Sequence, residues 1–184
     1  MHNLSTKEVV SSIEKTPLVE LQGIIFQEYK DFFGKELLDI LADTDNVMKT
    51  HLENQTDLPR QRVEYSEPVM KKLKIFFMQE SITTALEKKF DVDLQFSSVD
   101  IWYDSPGYLL GPHTDDQRIK LAIQIYLGHG DVGTCLYDSD DGVLKVFDFK
   151  NNNGYALLNS DVSRHGTSGT HKEGLRKSLY VRYQ

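Results

Sequence analysis

The stretch LQFSSVDIWY, residues 94–103, is where the hydrophobic pattern changes from a period near four to a period of two. Hydrophobic residues at every second position are typical of a strand with one face toward a core. Similar short segments follow to the end of the chain, and clusters of Gly, Asp and Asn separate them. Such a series favours a sandwich or a barrel. The predicted strands are 94–103, 118–127, 133–138, 143–149, 154–159 and 176–183.

The residues before this stretch are predicted to be mainly helical. A capping box at Ser5–Glu8 begins a short helix, and amphipathic spacing predicts two more, at Tyr29–Ala42 and from Ser66 to Phe90. The β-leaning run Leu18–Phe26 is predicted to be a strand. Helices followed by strands predict a single α+β, mainly β, domain over residues 1–184, in which 1–91 support a double-sheeted β-barrel formed by 92–184.

The segment Asp43–Glu64 is polar and contains Pro59, so it is predicted to be a loop. Loops of this length in compact domains are often functional. We expect it to select the substrate as a lid, together with the turn Ser105–Gly111, which would place Tyr108 at the mouth of a site.

Composition limits the class of protein. The chain has 184 residues, of which 39% are hydrophobic and 27% charged, as in an ordinary globular domain. Its net charge of −7 argues against strong binding to nucleic acid or anionic lipid. No apolar run is long enough to cross a membrane. The single cysteine, Cys135, excludes an internal disulfide, and a cytoplasmic location is the default expectation.

Two His-x-Asp sequences could offer an imidazole and a carboxylate to one metal ion. His113-Thr114-Asp115 precedes a predicted strand, whereas His129-Gly130-Asp131 lies between glycines in a predicted turn, where Asp and Gly are common for backbone reasons. A second imidazole is expected about fifty residues further on. His165 lies 52 residues after His113 (165 − 113) but 36 after His129 (165 − 129). We therefore prefer His113 and Asp115 as metal ligands.

For the distal ligand, His165 and His171 are the candidates. His171 lies in a polar, turn-like segment that is expected to be exposed, which favours His165. Two histidines and one carboxylate on one side of a metal form the facial triad of non-haem Fe(II) oxygenases, with the remaining coordination positions open.

Arg176 begins the last predicted strand and is the candidate anchor for the far carboxylate of a five-carbon diacid. A guanidinium binds a carboxylate with two parallel hydrogen bonds, which a lysine cannot reproduce. On a strand, Arg176, Ser178, Tyr180 and Arg182 share one face, so the Ser178 hydroxyl could contact the same carboxylate.

Together, the pattern Tyr103-x3-Gly107-x5-His113-x-Asp115, with His165 and then Arg176 eleven residues later, resembles the 2-oxoglutarate/Fe(II)-dependent dioxygenases, and most closely their prolyl 4-hydroxylase-like branch. The resemblance covers residues 92–184. It implies a double-stranded β-helix fold of the jelly-roll or cupin-like kind.

The resemblance also implies the cofactors and their ligands. His113, Asp115 and His165 would hold Fe(II), and Arg176 would pair with 2-oxoglutarate, with O2 as the second co-substrate and ascorbate as a further reductant. Tyr103, and Tyr126 in Ile125-Tyr126-Leu127-Gly128, match positions where the branch often places tyrosines that contact the co-substrate; packing inside the barrel is the alternative for both.

Three functions remain open from the sequence. The leading hypothesis is hydroxylation of a C–H bond in a peptide or protein substrate, such as a peptidyl proline, with release of succinate and CO2. The spacing Arg176-x5-Arg182 resembles nucleic-acid-dealkylating members of the same superfamily, although the acidic composition argues against it. A barrel that binds a metal or a small acid without turnover is the third.

Overall fold

The strand segments predicted from the alternating pattern assemble into two antiparallel sheets. The computed structural model describes residues 4–43, 47–52 and 59–184. The helices within these ranges are α1 (Lys7–Lys15), α2 (Lys35–Ala42), α3 (Glu67–Phe77) and α4 (Glu80–Phe90). The strands are β1 (Val19–Leu21), β2 (Ile24–Tyr29), β3 (Val47–Leu52), β4 (Arg60–Tyr65), β5 (Phe96–Asp104), β6 (Leu121–Tyr126), β7 (Thr134–Tyr137), β8 (Val143–Phe147), β9 (Gly154–Leu158), β10 (His165–Thr167) and β11 (Arg176–Tyr183).

The larger sheet has the strand order β1-β2-β9-β6-β11-β5-β4-β3, and the smaller has the order β10-β7-β8. The two sheets pack face to face as a jelly roll with the helices outside, so the predicted fold class is confirmed. None of the helices in the described ranges is long and apolar enough to cross a membrane.

Because side chains alternate between the two faces of a strand, the larger sheet contributes to two separate hydrophobic cores, one on each face. On the outer face, residues such as Ile101, Leu179 and Val181 pack with the helices. On the inner face, Tyr126 and Tyr155 pack with residues of the smaller sheet. Because the side-chain period of a strand is two, the Arg176 position belongs to the inner face and its neighbour Lys177 to the outer one. The candidate functional site lies on the inner face.

The predicted helices differ from the observed ones at their ends. Tyr29 ends β2, and α2 begins only at Lys35, although Phe32 and Phe33 are buried between them. The predicted single helix from Ser66 to Phe90 is two helices, α3 and α4. They have different packing partners, since α3 contacts β4 and β5 whereas α4 contacts α1. A break between them lets both apolar stripes reach the core.

The predicted strand Leu18–Phe26 is a hairpin of β1 and β2. Its turn residues Gln22 and Gly23 both have positive φ values, 51° and 83°. Such a turn matches the twist of antiparallel strands, and glycine adopts it without steric cost. At the capping box, the Ser5 hydroxyl donates to the Glu8 carboxylate at 3.3 Å and accepts from the backbone N–H of Lys7, the first residue of α1, at 3.3 Å.

The prediction of a loop over Asp43–Glu64 is wrong for the part of it that the structure describes. β3 and β4 form an antiparallel hairpin, and β4 pairs with β5, so the larger sheet is extended by two strands. The sequence of β4 does contain a short strand pattern, because Val63 and Tyr65, which are both buried, occupy alternate positions. Its polar composition obscured that signal. Residues 44–46 and 53–58, where a lid was expected, lie outside the described residues.

Candidate metal- and acid-binding site

His113 and His165 are brought together by the backbone before any metal is considered. His113 lies in the connection between β5 and β6, and His165 begins β10. The two residues form an antiparallel bridge in which the His113 N–H donates to the His165 carbonyl at 2.9 Å and the His165 N–H donates back at 2.8 Å. Their imidazole rings consequently lie 4.5 Å apart, measured between centroids.

Asp115 completes a three-residue cluster. One ligand atom from each of His113, Asp115 and His165 lies within 4.8 Å of the others, and His165 Nε2 is 3.9 Å from Asp115 Oδ2. In the described ranges this is the group of His, Cys, Asp and Glu side chains with the spacing of a metal site. The competing His129 is exposed and outside it.

Hydrogen bonds fix the orientation of both imidazoles. Nδ1 of His113 is 3.0 Å from the carbonyl of Gly111, and Nδ1 of His165 is 3.0 Å from the carbonyl of Ser163. A carbonyl can only accept, so each Nδ1 carries a proton, and the neutral form of each imidazole has its lone pair on Nε2. Burial lowers the pKa of His165, with His113 acting in the same direction and Asp115 opposing both. A lowered pKa favours the neutral imidazole that a metal requires.

Tyr180, on β11, holds the carboxylate of the cluster. Its hydroxyl donates to Oδ2 of Asp115 at 2.6 Å. Burial, and next the charge of Asp115, raise the pKa of Tyr180 well above its usual value, so the phenol remains a donor. Two imidazole nitrogens and one oriented carboxylate suit a divalent iron site with open positions.

Arg176 lies in the same cavity as the three candidate ligands. The cavity has a volume of about 130 Å³, and Arg176 is 2% exposed. Its Nε donates to the Val132 carbonyl at 3.1 Å, and its Nη1 donates to Oδ2 of Asp104 at 2.5 Å. The strand prediction placed Arg176 correctly on the inner face, but it did not identify Asp104 as its partner.

The three other predicted co-substrate contacts have separate surroundings. Ser178 shares the inner face with Arg176, and its hydroxyl accepts a hydrogen bond from Gln124 at 3.2 Å. Tyr126 is buried in the inner core, where it donates to Thr134 at 2.9 Å, and burial raises its pKa to about 12. Among the described residues, neither belongs to the lining of the cavity.

Contrary to the prediction, Tyr103 does not line the cavity that holds the candidate metal ligands. It packs in the outer core, and its hydroxyl is 3.4 Å from that of Tyr65. Its neighbours in β5 have the opposite orientation, since Trp102 lines the cavity and Asp104 contacts Arg176. The spacing relative to His113 matched the family pattern, but the strand alternation of β5 puts Tyr103 on the far side of the sheet.

The prediction that His171 is exposed is wrong, because its side chain is buried. Nδ1 lies 2.5 Å from Oδ1 of Asp131, and Nε2 lies 3.2 Å from the Gly174 carbonyl. Asp131 also accepts from the Lys172 N–H at 2.9 Å. Asp131, the carboxylate of the competing His-x-Asp pair, therefore links its own loop to the loop that contains His171. In the polar sequence around His171 we find no signal that would have predicted its burial.

The cavity is lined by one further residue that sequence reasoning predicted and by others that it missed. Tyr108 was expected at its mouth and does line it, with a buried side chain. Arg60, on β4, was assigned to the polar loop. Trp102, Tyr180 and Arg182 also line the cavity.

Comparison with known proteins gives a likeness in structure but not in sequence. No protein-family model and no curated protein sequence matches the chain. Among solved structures, it is similar to a prolyl hydroxylase from Trichoplax adhaerens in complex with a hypoxia inducible factor peptide fragment, with a TM-score of 0.61, 12% identity, and coverage of 97% of this chain and 88% of that one. It is similar to a Pseudomonas putida prolyl-4-hydroxylase, with a TM-score of 0.60, 14% identity and coverage of 96% of both chains.

A third similar structure is HygX from Streptomyces hygroscopicus, with nickel, 2-oxoglutarate and hygromycin B bound. The TM-score is 0.62 at 13% identity, and the match covers 97% of this chain and 87% of that one. The chain therefore has the fold of solved 2-oxoglutarate/Fe(II) oxygenases, at a sequence identity where the likeness shows the fold alone.

Proposed function

We propose that the protein is a 2-oxoglutarate- and Fe(II)-dependent dioxygenase. The observation that carries the proposal is the convergence of His113, Asp115 and His165 on one point, in a cavity that Arg176 also lines. A protein that only binds a small acid has no use for a metal site with open coordination positions. The oxygenase structures with the same fold support this choice.

In this proposal His113, Asp115 and His165 hold Fe(II). The bound iron would supply the redox chemistry that couples decarboxylation of 2-oxoglutarate, giving succinate and CO2, to hydroxylation of a C–H bond. The protein orients its ligands: Gly111 and Ser163 fix the two imidazole tautomers, and Tyr180 fixes the carboxylate.

Arg176 is the proposed anchor for the distal carboxylate of 2-oxoglutarate. Its guanidinium is already immobilised by Val132 and Asp104, so little side-chain entropy remains to be lost when an acid binds. Within the described part of the chain, Nη2 donates to no acceptor and is available for a carboxylate. Ser178 is a weaker candidate, since its hydroxyl is engaged with Gln124.

The primary substrate must approach over the rim of the barrel. A cavity of about 130 Å³ has room for a small diacid, whereas ligand pockets for larger molecules are several times bigger. We propose a peptidyl proline or a similar side chain as the hydroxylated group. Prolyl hydroxylases with this fold, one of them bound to a peptide, support that class.

Arg182, which suggested nucleic-acid dealkylation, is paired with other groups. Its Nε donates to Ser98 at 2.8 Å, and its Nη2 donates to Asp100. The charge of this arginine is thus balanced within the protein, and the net charge of the chain is −7. Both observations argue against the dealkylase alternative.

Succinate formation tests the proposal. Purified protein with Fe(II), 2-oxoglutarate and ascorbate should convert 2-oxoglutarate to succinate, even slowly and without a primary substrate. His113→Ala and Asp115→Ala should abolish the conversion, whereas the matched control His129→Ala should retain it. Turnover that needs no iron, or that survives His113→Ala, would contradict the proposal.

The substrate class is tested separately. Candidate peptides and co-expressed host proteins, incubated with the active protein, should gain one oxygen by mass spectrometry. Fragment spectra should place the oxygen on proline or a similar side chain. An oxygen found only on nucleobases, or on small molecules, would exclude the peptide class while leaving the proposed chemistry intact.

A further inference from the structure

Three charged residues form one row across three neighbouring strands. In the strand register, Arg60 of β4 is opposite Asp104 of β5, and Asp104 is opposite Arg176 of β11. Directly opposed residues point to the same face of a sheet. The row therefore runs Arg60–Asp104–Arg176 along the inner face, at one end of the cavity.

The central carboxylate is fully buried between the two guanidinium groups. Oδ2 of Asp104 accepts from Arg176, while Oδ1 lies 3.1 Å from Nε of Arg60. That second contact is an ion pair without hydrogen-bond geometry, since Nε of Arg60 and Oδ1 of Asp104 have no hydrogen-bond partner among the described residues. A buried carboxylate this close to two cations is held mainly by their charges.

Arg60 is fixed at the wall of the cavity. Its Nη1 donates to the Tyr108 hydroxyl at 2.7 Å, and its guanidinium lies 4.3 Å from the centroid of the Trp102 ring. The Arg60 side chain is 21% exposed, compared with 2% for Arg176. Arg60 is therefore the most exposed member of the row, and it lines the cavity together with Arg176.

The charge balance of the row gives Arg60 its role. Asp104 and Arg176 alone would cancel, and a neutral pair attracts a diacid poorly. Arg60 restores one positive charge, which matches the single distal carboxylate of the diacid. Arg182, on the same face of β11, cannot supply this charge because it is paired with Asp100.

Building on the proposed function, we propose that Arg60 supplies the net positive charge of the acid-binding end, and that Asp104 is a positioning residue that orients Arg176. A strand outside the recognised motifs thus becomes part of the co-substrate site.

Binding of 2-oxoglutarate to the Mn(II)-loaded protein, measured by calorimetry without oxygen, tests the inference. Arg60→Gln should weaken binding by at least about tenfold, because one unit charge near the carboxylate is lost. Arg60→Lys keeps the charge and should stay within about threefold of the wild-type affinity. The matched control Arg62→Gln removes an exposed charge from the same strand and should bind normally.

Two further measurements separate charge from direct contact. The double variant Arg60→Gln/Asp104→Asn again has a row with one net positive charge, and the amide oxygen of the asparagine can still accept from Arg176 and orient it, so the variant should regain most of the lost affinity. The acid 2-oxopentanoate has the same carbon chain without the distal carboxylate, and Arg60→Gln should not weaken its binding.

The outcomes are distinguishable. If wild-type protein shows no metal-dependent binding of 2-oxoglutarate, the proposed function fails and the inference fails with it. If wild-type protein binds but Arg60→Gln binds equally well, the inference alone is wrong. It is also overturned if Arg60→Lys is as weak as Arg60→Gln, or if both acids are weakened equally.

Discussion

The hydroxyl of Tyr180 donates a 2.6 Å hydrogen bond to Oδ2 of Asp115, across 65 residues of sequence. Tyr180 lies on the same face of β11 as Arg176, four residues further along the strand. One rigid strand therefore positions both a candidate metal ligand and the candidate acid anchor. Their separation is set by strand geometry rather than by loops.

Replacing Tyr180 by Phe should weaken metal binding while preserving the fold. The carboxylate of Asp115 would lose the donor that orients it, and loss of such a contact typically reduces metal affinity about 10- to 100-fold. Titration of the metal-free protein with Co(II), followed by absorbance, measures the change.

Tyr183→Phe is the matched control on the same strand. Its hydroxyl donates to the Phe77 carbonyl at 2.9 Å on the outer face, so its loss should cost about 1 kcal/mol of stability and leave Co(II) affinity unchanged. Equal Co(II) affinity in Tyr180→Phe and wild type would show that Asp115 needs no such positioning.

Replacing Arg176 by Lys should weaken 2-oxoglutarate binding and leave Co(II) binding normal. The lysine keeps the charge but loses the planar set of donors, and a buried charge pair broken in this way costs about 2–5 kcal/mol. Trp102 offers the readout, because it is the only tryptophan of the chain and lines the cavity. Its fluorescence should change on addition of the acid to the wild-type holoprotein.

The control for that signal is Lys177→Gln, which removes a charge from the outer face of the same strand. It should titrate like the wild type. Unchanged acid affinity in Arg176→Lys would move the anchor to another side chain of the cavity.

Replacing His171 by Ala should destabilise the fold by about 2–4 kcal/mol. The substitution removes a buried imidazole and leaves its two partners, Asp131 and the Gly174 carbonyl, without it. Urea unfolding measures the change. His129→Ala, at an exposed position, should stay within about 0.5 kcal/mol of wild type. Co(II) binding should survive in both; a folded His171→Ala protein that binds no metal would make His171 a ligand.

Alkaline pH should destabilise the protein, because its buried tyrosine side chains ionise more readily in the unfolded state. Burial raises the pKa of Tyr29 and Tyr155 well above the usual value, and that of Tyr108 and Tyr126 to about 12. A raised folded-state pKa means that the stabilisation is complete below the unfolded-state pKa of about 10 and is lost as pH rises from there toward the folded-state pKa.

Phenolate absorbance and circular dichroism together measure this effect. In the native protein, ionisation of these phenols should coincide with loss of secondary structure above pH 10 or so, whereas denatured protein should ionise near pH 10. Full ionisation near that pH with secondary structure intact would contradict the burial of these side chains.

The sequence predicted the parts of the structure that depend on period and spacing. Apart from the short β10, the strands after residue 92 could be predicted from alternation, and the choice of His113, Asp115 and His165 as a converging cluster used the distance between two histidines. Arg176 was placed on the correct face for the same reason.

The missed features depend on contacts that are remote in sequence. Arg60 reaches Asp104 because β4 pairs with β5, and the buried His171 is paired with Asp131, which lies 40 residues earlier in the sequence. The family pattern predicted a role for Tyr103 by counting from His113. The orientation of its strand assigns the inner face to its neighbours instead.

The backbone bridge between His113 and His165 has a consequence for biosynthesis. The two histidines are 52 residues apart in sequence (165 − 113), and their rings meet only once β10 has joined β7. A nascent chain that has not yet emerged beyond Thr167 cannot assemble the proposed iron site. In the proposed function, iron would therefore be bound by all three ligands only after β10 is in place.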